Sequence, residues 1–161
     1  MVFNKVLTAT DGSRRAEYAA GVAIQVALDS GGELFIISVA DTSSPRTAMD
    51  LDADSEKELL EARPTPDVEQ IREQRTAHEE RFAKNVKLAA LGEGLVTHTA
   101  VSVGNPAEEI LGFAEEKGCD LIVVGSHRRR PLTTAIMGSV ATSLIHSGMI
   151  PVLVIPAQEN G

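Results

Sequence analysis

Leu34-Phe35-Ile36-Ile37-Ser38-Val39 is nearly all apolar, between a Gly31-Gly32 break and a polar stretch that opens at Asp41. A strand with one wet face alternates apolar and polar residues, whereas a run like this suits a strand covered on both faces. Upstream, Val6-Leu7-Thr8-Ala9-Thr10 is a second such run, stopped at Asp11-Gly12-Ser13. Between the two, Ala19, Val22, Ala23, Val26 and Ala27 recur at the spacing of one helix face. Strand, helix and buried strand in that order specify a parallel pair with a crossover.

The same alternation continues downstream. From Asp41 to about Pro66 the chain is rich in Ser, Pro, Asp and Glu, with a short acidic helical stretch from Ser55 to Glu61. It is expected to be a long polar insertion. A charged helix follows over roughly Asp67 to Leu91, with Val68, Ile71, His78, Phe82, Val86 and Ala89 proposed as its apolar stripe. Val96 to Val103 alternates Thr, His and Ser with Val and reads as an edge strand. Asn105-Pro106-Ala107-Glu108 is a helix start: Asn caps, Pro takes the first helical position, and Glu108 and Glu109 oppose the macrodipole. That helix ends at Gly118. Asp120 to Val124 and Pro151 to Ile155 are the last two strands, and between them Val140, Ala141, Leu144 and Ile145 mark a helix stopped at Gly148. The expected fold is α/β, a five-stranded parallel sheet with helices on both faces in a single domain over 1–161.

Composition agrees and removes several functional classes. The chain has 161 residues, of which 43% are hydrophobic and 3% aromatic, with no Trp, so its core is aliphatic. One cysteine, Cys119, excludes a disulfide framework and a cysteine-built zinc site; it reads as a buried small apolar residue. A net charge of -8 argues against nucleic acid and anionic membrane as partners. The apolar runs fall well short of a membrane span, and a cytoplasmic location is expected. No Gly-x-Ser-x-Gly elbow, P-loop lysine or supported Cys–His arrangement is present, so no catalytic set emerges. Gly92-x-Gly94 precedes a strand instead of following one and is not a dinucleotide fingerprint. His78 reads as packing or surface, His98 and His146 lack metal-ligand spacing, and His127 is a candidate phosphate neighbour.

In a parallel α/β sheet the ligand crevice lies beyond the carboxyl ends of the strands. Those ends carry Thr10-Asp11, Val39-Ala40-Asp41, Val103-Gly104-Asn105 and Gly125-Ser126. Gly125 lets backbone approach a phosphate, and Gly138-Ser139 opens a helix whose first N–H groups face outward. Taken alone, Gly125 is a tight turn and Ser139 a natural N-cap.

Five segments together resemble the universal stress protein family. They are Thr10-Asp11-Gly12-Ser13, Gly104 to Leu111, Asp120 to His127, Gly138-Ser139-Val140-Ala141 and Pro151 to Ile155, in that order. The resemblance implies binding of ATP or another adenine nucleotide, together with magnesium. In the nucleotide-binding branch the phosphate site reads Gly, two residues, Gly, nine residues, Gly, then Ser or Thr. Gly125 and the pair Gly138-Ser139 match it, while Arg128 stands at the second glycine.

By that resemblance Ala9 and Val39 line the adenine, and Asp11, with Thr10 beside it, holds a ribose or a magnesium. Ser126, His127, Arg128 and Val140 complete the set around the phosphates. Arg128 either obstructs the site or clasps phosphate through its guanidinium. The implied role is a stress or regulatory module, a homodimer through Pro151–Ile155 with a regulatory partner protein. The alternatives are a nucleotide-free member acting through protein contacts at its arginine cluster, and a slow ATP hydrolase using Asp11.

Overall fold

A computed structural model describes residues 2–41, 68–126 and 138–156. The strands are β1 (Lys5–Ala9), β2 (Glu33–Asp41), β3 (Thr97–Gly104), β4 (Leu121–Gly125) and β5 (Val152–Ile155). The helices are α1 (Arg14–Ser30), α2 (Val68–Gly92), α3 (Pro106–Lys117) and α4 (Ser139–Ser147). All pairings are parallel and the sheet order is β3-β2-β1-β4-β5. The chain thus winds outward from β1 in two directions, and β3 and β5 are the edges.

The apolar runs of β2, β1 and β4 sit in the centre of this sheet, while the equally apolar β5 is an edge. Leu7, Leu34, Ile36, Ile37 and Ile122 are wholly or almost wholly buried. Each such side chain contributes about 1.5–3 kcal/mol relative to exposure. Two cores result, one per face. Val6, Leu34, Ile36 and Val123 pack under the small alanines of α1 and against α2. Leu7, Phe35, Ile37, Ile122 and Val124 pack with Ile110 and Ala114 of α3 and Ala141 and Leu144 of α4. Alanine at 19, 20, 23 and 27 lets α1 lie close to the sheet without large side chains between them.

Helix ends follow local chemistry. Ser13 caps α1, its hydroxyl accepting from the Ala16 N–H, and Asn105 caps α3 by accepting from the Glu108 N–H. Such caps are worth about 1 kcal/mol each. Gly31, Gly118 and Gly148 close α1, α3 and α4 in the left-handed conformation.

Three expectations are corrected. Among the described side chains of α2, Glu79, Ala83, Val86 and Ala90 are buried and Phe82 is half-buried, while His78 and Ala89 are exposed; those of Val68 and Ile71 lie outside the described residues. Ile145 is 42% exposed, with Ala141 and Leu144 carrying the inner face of α4. Ser139 does not cap α4: Gly138 takes the cap position with φ -57 and ψ 158, and no side chain bonds the first turn. The insertion from 42 onward, His127, Arg128 and the rest of the arginine cluster lie outside the described residues.

Candidate functional site

The carboxyl ends of β2, β1 and β4 are neighbours, so Val39, Ala9 to Asp11, and Gly125-Ser126 come together at one end of the sheet. The chain leaves β1 through a tight turn. Thr10 is buried, its N–H donates to the Ile37 carbonyl (3.0 Å), and its Oγ1 accepts from the Gly12 N–H (3.3 Å). Asp11 is exposed, and its Oδ1 accepts from the Ser13 N–H at 2.9 Å. Asp11 therefore braces the turn, and Ser13 caps the helix. Gly12 has φ +75 and lies against the Phe82 ring of α2, where a Cβ would overlap the ring. Its lack of a side chain is a requirement of both conformation and space.

On the opposite side of the sheet end, Ala9, Val39 and Val140 are all partly buried against the second core cluster. They come from β1, β2 and the first turn of α4. α4 begins at Ser139, which is exposed, with Thr142 N–H bonded to the Gly138 carbonyl at 3.0 Å. The three N–H groups before Thr142 have no partner within the helix, which is how a helix N-terminus comes to attract anions. At the end of β4, Gly125 passes the main chain of α1 so closely that a Cβ would stand 3.1 Å from the Arg15 carbonyl oxygen. Ser126 N–H donates to the Ile155 carbonyl, which ties the exit of β4 to β5. No group of three or more metal-ligating side chains occurs among the described residues. Among them, too, no helix is long and apolar enough to cross a membrane.

The family model described as the universal stress protein family matches residues 3–156. The chain belongs to the universal stress protein family. It is 34% identical over 154 residues to universal stress protein MJ0531 of Methanocaldococcus jannaschii, covering 96% of this chain and 82% of that one. The solved structure of protein MJ0577 of the same organism superposes with a TM-score of 0.75, at 25% identity, over 99% of this chain and 100% of that one. The universal stress protein from Archaeoglobus fulgidus solved in complex with dAMP shares the fold with a TM-score of 0.59, at 22% identity, over 96% and 99% of the two chains.

For a universal stress protein read from sequence, the strand-end residues Ala9, Thr10, Asp11, Val39, Gly125, Ser126, Gly138, Ser139 and Val140 all fall at one end of the sheet. His127 and Arg128 lie outside the described residues. Sequence reasoning missed the polar contacts inside the packing. Ser38, fully buried on β2, donates to the Thr10 carbonyl at 2.6 Å and is bonded to the Glu79 carboxyl of α2. Ser102 of β3 bonds the Glu109 carboxyl of α3. The signal for the first was available: Ser38 breaks an apolar run, and Glu79 stands at the i-4 and i-7 positions from Ala83 and Val86. Cys119 is buried as expected, and its thiol is pushed up to about 11 from 9.0. Desolvation drives the rise, Lys5 opposes it and Asp120 adds to it.

Proposed function

We propose that this universal stress protein is a cytoplasmic, adenine-nucleotide-binding stress or regulatory module. The meeting of the carboxyl ends of β2, β1 and β4 at one end of the sheet, with a start of α4 that no side chain caps, supports this reading. An adenine ring needs a flat apolar slot, and its phosphates need anion-binding N–H groups within reach of that slot. In this reading Ala9 and Val39 contact the base, and Asp11 contacts the ribose or a magnesium brought with the phosphates. Gly125, Ser126, Gly138, Ser139 and Val140 cradle the phosphate chain, with His127 and Arg128 alongside. The donor set fits an imported metal better than a resident one, since Asp11 is the only carboxylate of the set. The dAMP bound by the Archaeoglobus protein supports adenine nucleotide as the ligand class.

The nucleotide responds to cellular energy state, and the protein passes that response to a partner, acting as a homodimer through β5. The sequence carries no recognisable catalytic set, and signalling rather than turnover is the proposed use. The test is mass spectrometry of small molecules released from freshly purified protein, with titration calorimetry against ATP, ADP and AMP. Released adenine nucleotide or millimolar or tighter binding is expected. No ligand and no heat with any of the three would leave the nucleotide-free alternative.

A further inference from the structure

We propose that the outer edge of β3, with the cleft beside it, takes an extended basic segment of a partner protein as a sixth strand. The edge is available in a defined pattern. Leu34 N–H donates to the Val96 carbonyl, and Leu34 is paired with Thr97 in parallel register. Parallel pairing then turns the backbone groups of residues 98, 100 and 102 toward β2 and those of Thr97, Thr99, Val101 and Val103 away from the sheet. No strand pairs with that side among the described residues. An edge of this kind is a template for another chain.

A cleft of about 390 Å³ flanks the edge on the α3 side. Its floor is apolar, from Ile37, Ala100 and Phe113, and Ala100 and Ser102 are the small β3 side chains that leave it open. Gly112 lies in the middle of α3 on the cleft wall, and a Cβ built there would meet no atom within 4 Å. Glycine inside a helix costs about 1 kcal/mol against alanine. Here neither conformation nor crowding asks for it, and its effect is to keep the cleft wide. A strand added to β3 would direct alternate side chains into this space.

The rim sets the partner's charge. Glu108, Glu109 and Glu116 line the cleft; Glu109 is held toward β3 by Ser102, and Glu116 pairs with the exposed Lys117 at 2.8 Å. Together with the chain's net charge of -8, this favours lysine or arginine flanking an apolar residue that enters the cleft.

The probe is a short, end-blocked peptide of alternating lysine and valine, titrated into the full chain and followed by calorimetry. Binding is expected, weakened about tenfold when salt is raised from low to high ionic strength. Gly112→Leu fills the cleft with a better helix former, so the fold holds while binding falls about tenfold or more. Val101→Pro removes an outward N–H without touching the β2 ladder and should have a similar effect. Equal binding of an alternating glutamate–valine peptide would overturn the charge assignment and with it the proposal. Peptide binding that both variants leave unchanged would also overturn it, as would no binding at millimolar peptide. A dimer that Val101→Pro dissociates would give the edge to a second copy instead and overturn it as well.

Discussion

Ser38 and Glu79, 41 residues apart, are bonded to each other in the interior, a strand hydroxyl against a helix carboxyl. The same hydroxyl reaches the Thr10 carbonyl, so this one buried group links β2, the end of β1 and α2. It stands directly behind the turn that carries Asp11. Ser38→Ala removes a buried partner from two oxygens at once and should cost about 1–3 kcal/mol, read by urea denaturation. Glu79→Gln keeps the shape and brings amide protons of its own to the hydroxyl, so it should cost clearly less than Glu79→Ala. Equal losses for the two would mean that Glu79 acts only by filling space.

Gly12 and Phe82 make a second test of how α2 is held to the strand ends. Gly12→Ala must place a side chain at φ +75, a cost of about 1–2 kcal/mol, and must also displace the ring. Combining it with Phe82→Ala relieves only the displacement. The double variant should therefore be more stable than the sum of the single losses implies, by a coupling of about 0.5–3 kcal/mol. Strict additivity would show that the ring moves aside freely.

Cys119 gives a pH signature. Its thiol titrates near 11 in the fold and near 9.0 when exposed, so below pH 9 it is neutral in both states and its packing contributes in full. As pH rises from 9 through 11, the unfolded chain releases the proton first, and this contribution is lost. The stability difference between the wild type and Cys119→Ala should shrink over that window in denaturation curves, and thiol reagents should label the native protein slowly at pH 8. Rapid native labelling would contradict the burial.

Arg128 stands where the nucleotide-binding branch has glycine. If its guanidinium clasps phosphate, Arg128→Gly weakens ATP binding by about 1.5–3 kcal/mol in calorimetry. Tighter binding would identify Arg128 as an obstruction, and unchanged affinity would make it a solvated surface residue.

Much of the fold was legible because burial on both faces forbids alternation. The apolar runs at 34–39 and 121–124 read as covered strands and the Thr, His and Ser of 97–102 as an edge, whereas the equally apolar 152–155 is an edge that its composition did not mark. Caps at Ser13 and Asn105 were legible because one side-chain oxygen and one N–H three residues on suffice. The cap of α4 was not: Gly138 and Ser139 are adjacent, and a one-residue shift in helix start decides which is extended. On α2, Phe82 and Val86 were legible, but Ala89 and Ala90 are identical as residues, so the pattern could not say which of them faces the sheet. The strand-end set was legible through topology, which brings β2, β1 and β4 together. The cleft was not, because it depends on how α3 sits over β3.

The second edge, β5, yields the prediction for assembly. Ile122 N–H donates to the Pro151 carbonyl and Ser126 N–H to that of Ile155, so residues 151, 153 and 155 face β4 and Val152 and Val154 turn their backbone groups outward. Pro156, the next residue on the outward side, has no N–H to give and limits any ladder to those two residues. A two-fold antiparallel pairing then centres on Leu153, with Val152 of one copy bonded to Val154 of the other, and it closes without propagating. Leu153 is 37% exposed, and it would meet its own counterpart at the axis as the closest cross-strand pair. Leu153→Lys places like charges opposite one another there while disturbing little inside a single copy. Sedimentation at micromolar concentration should show a dimer for the wild type and a monomer with an unchanged melting profile at low concentration for the variant. A dimer indifferent to that lysine would place the interface elsewhere on the molecule.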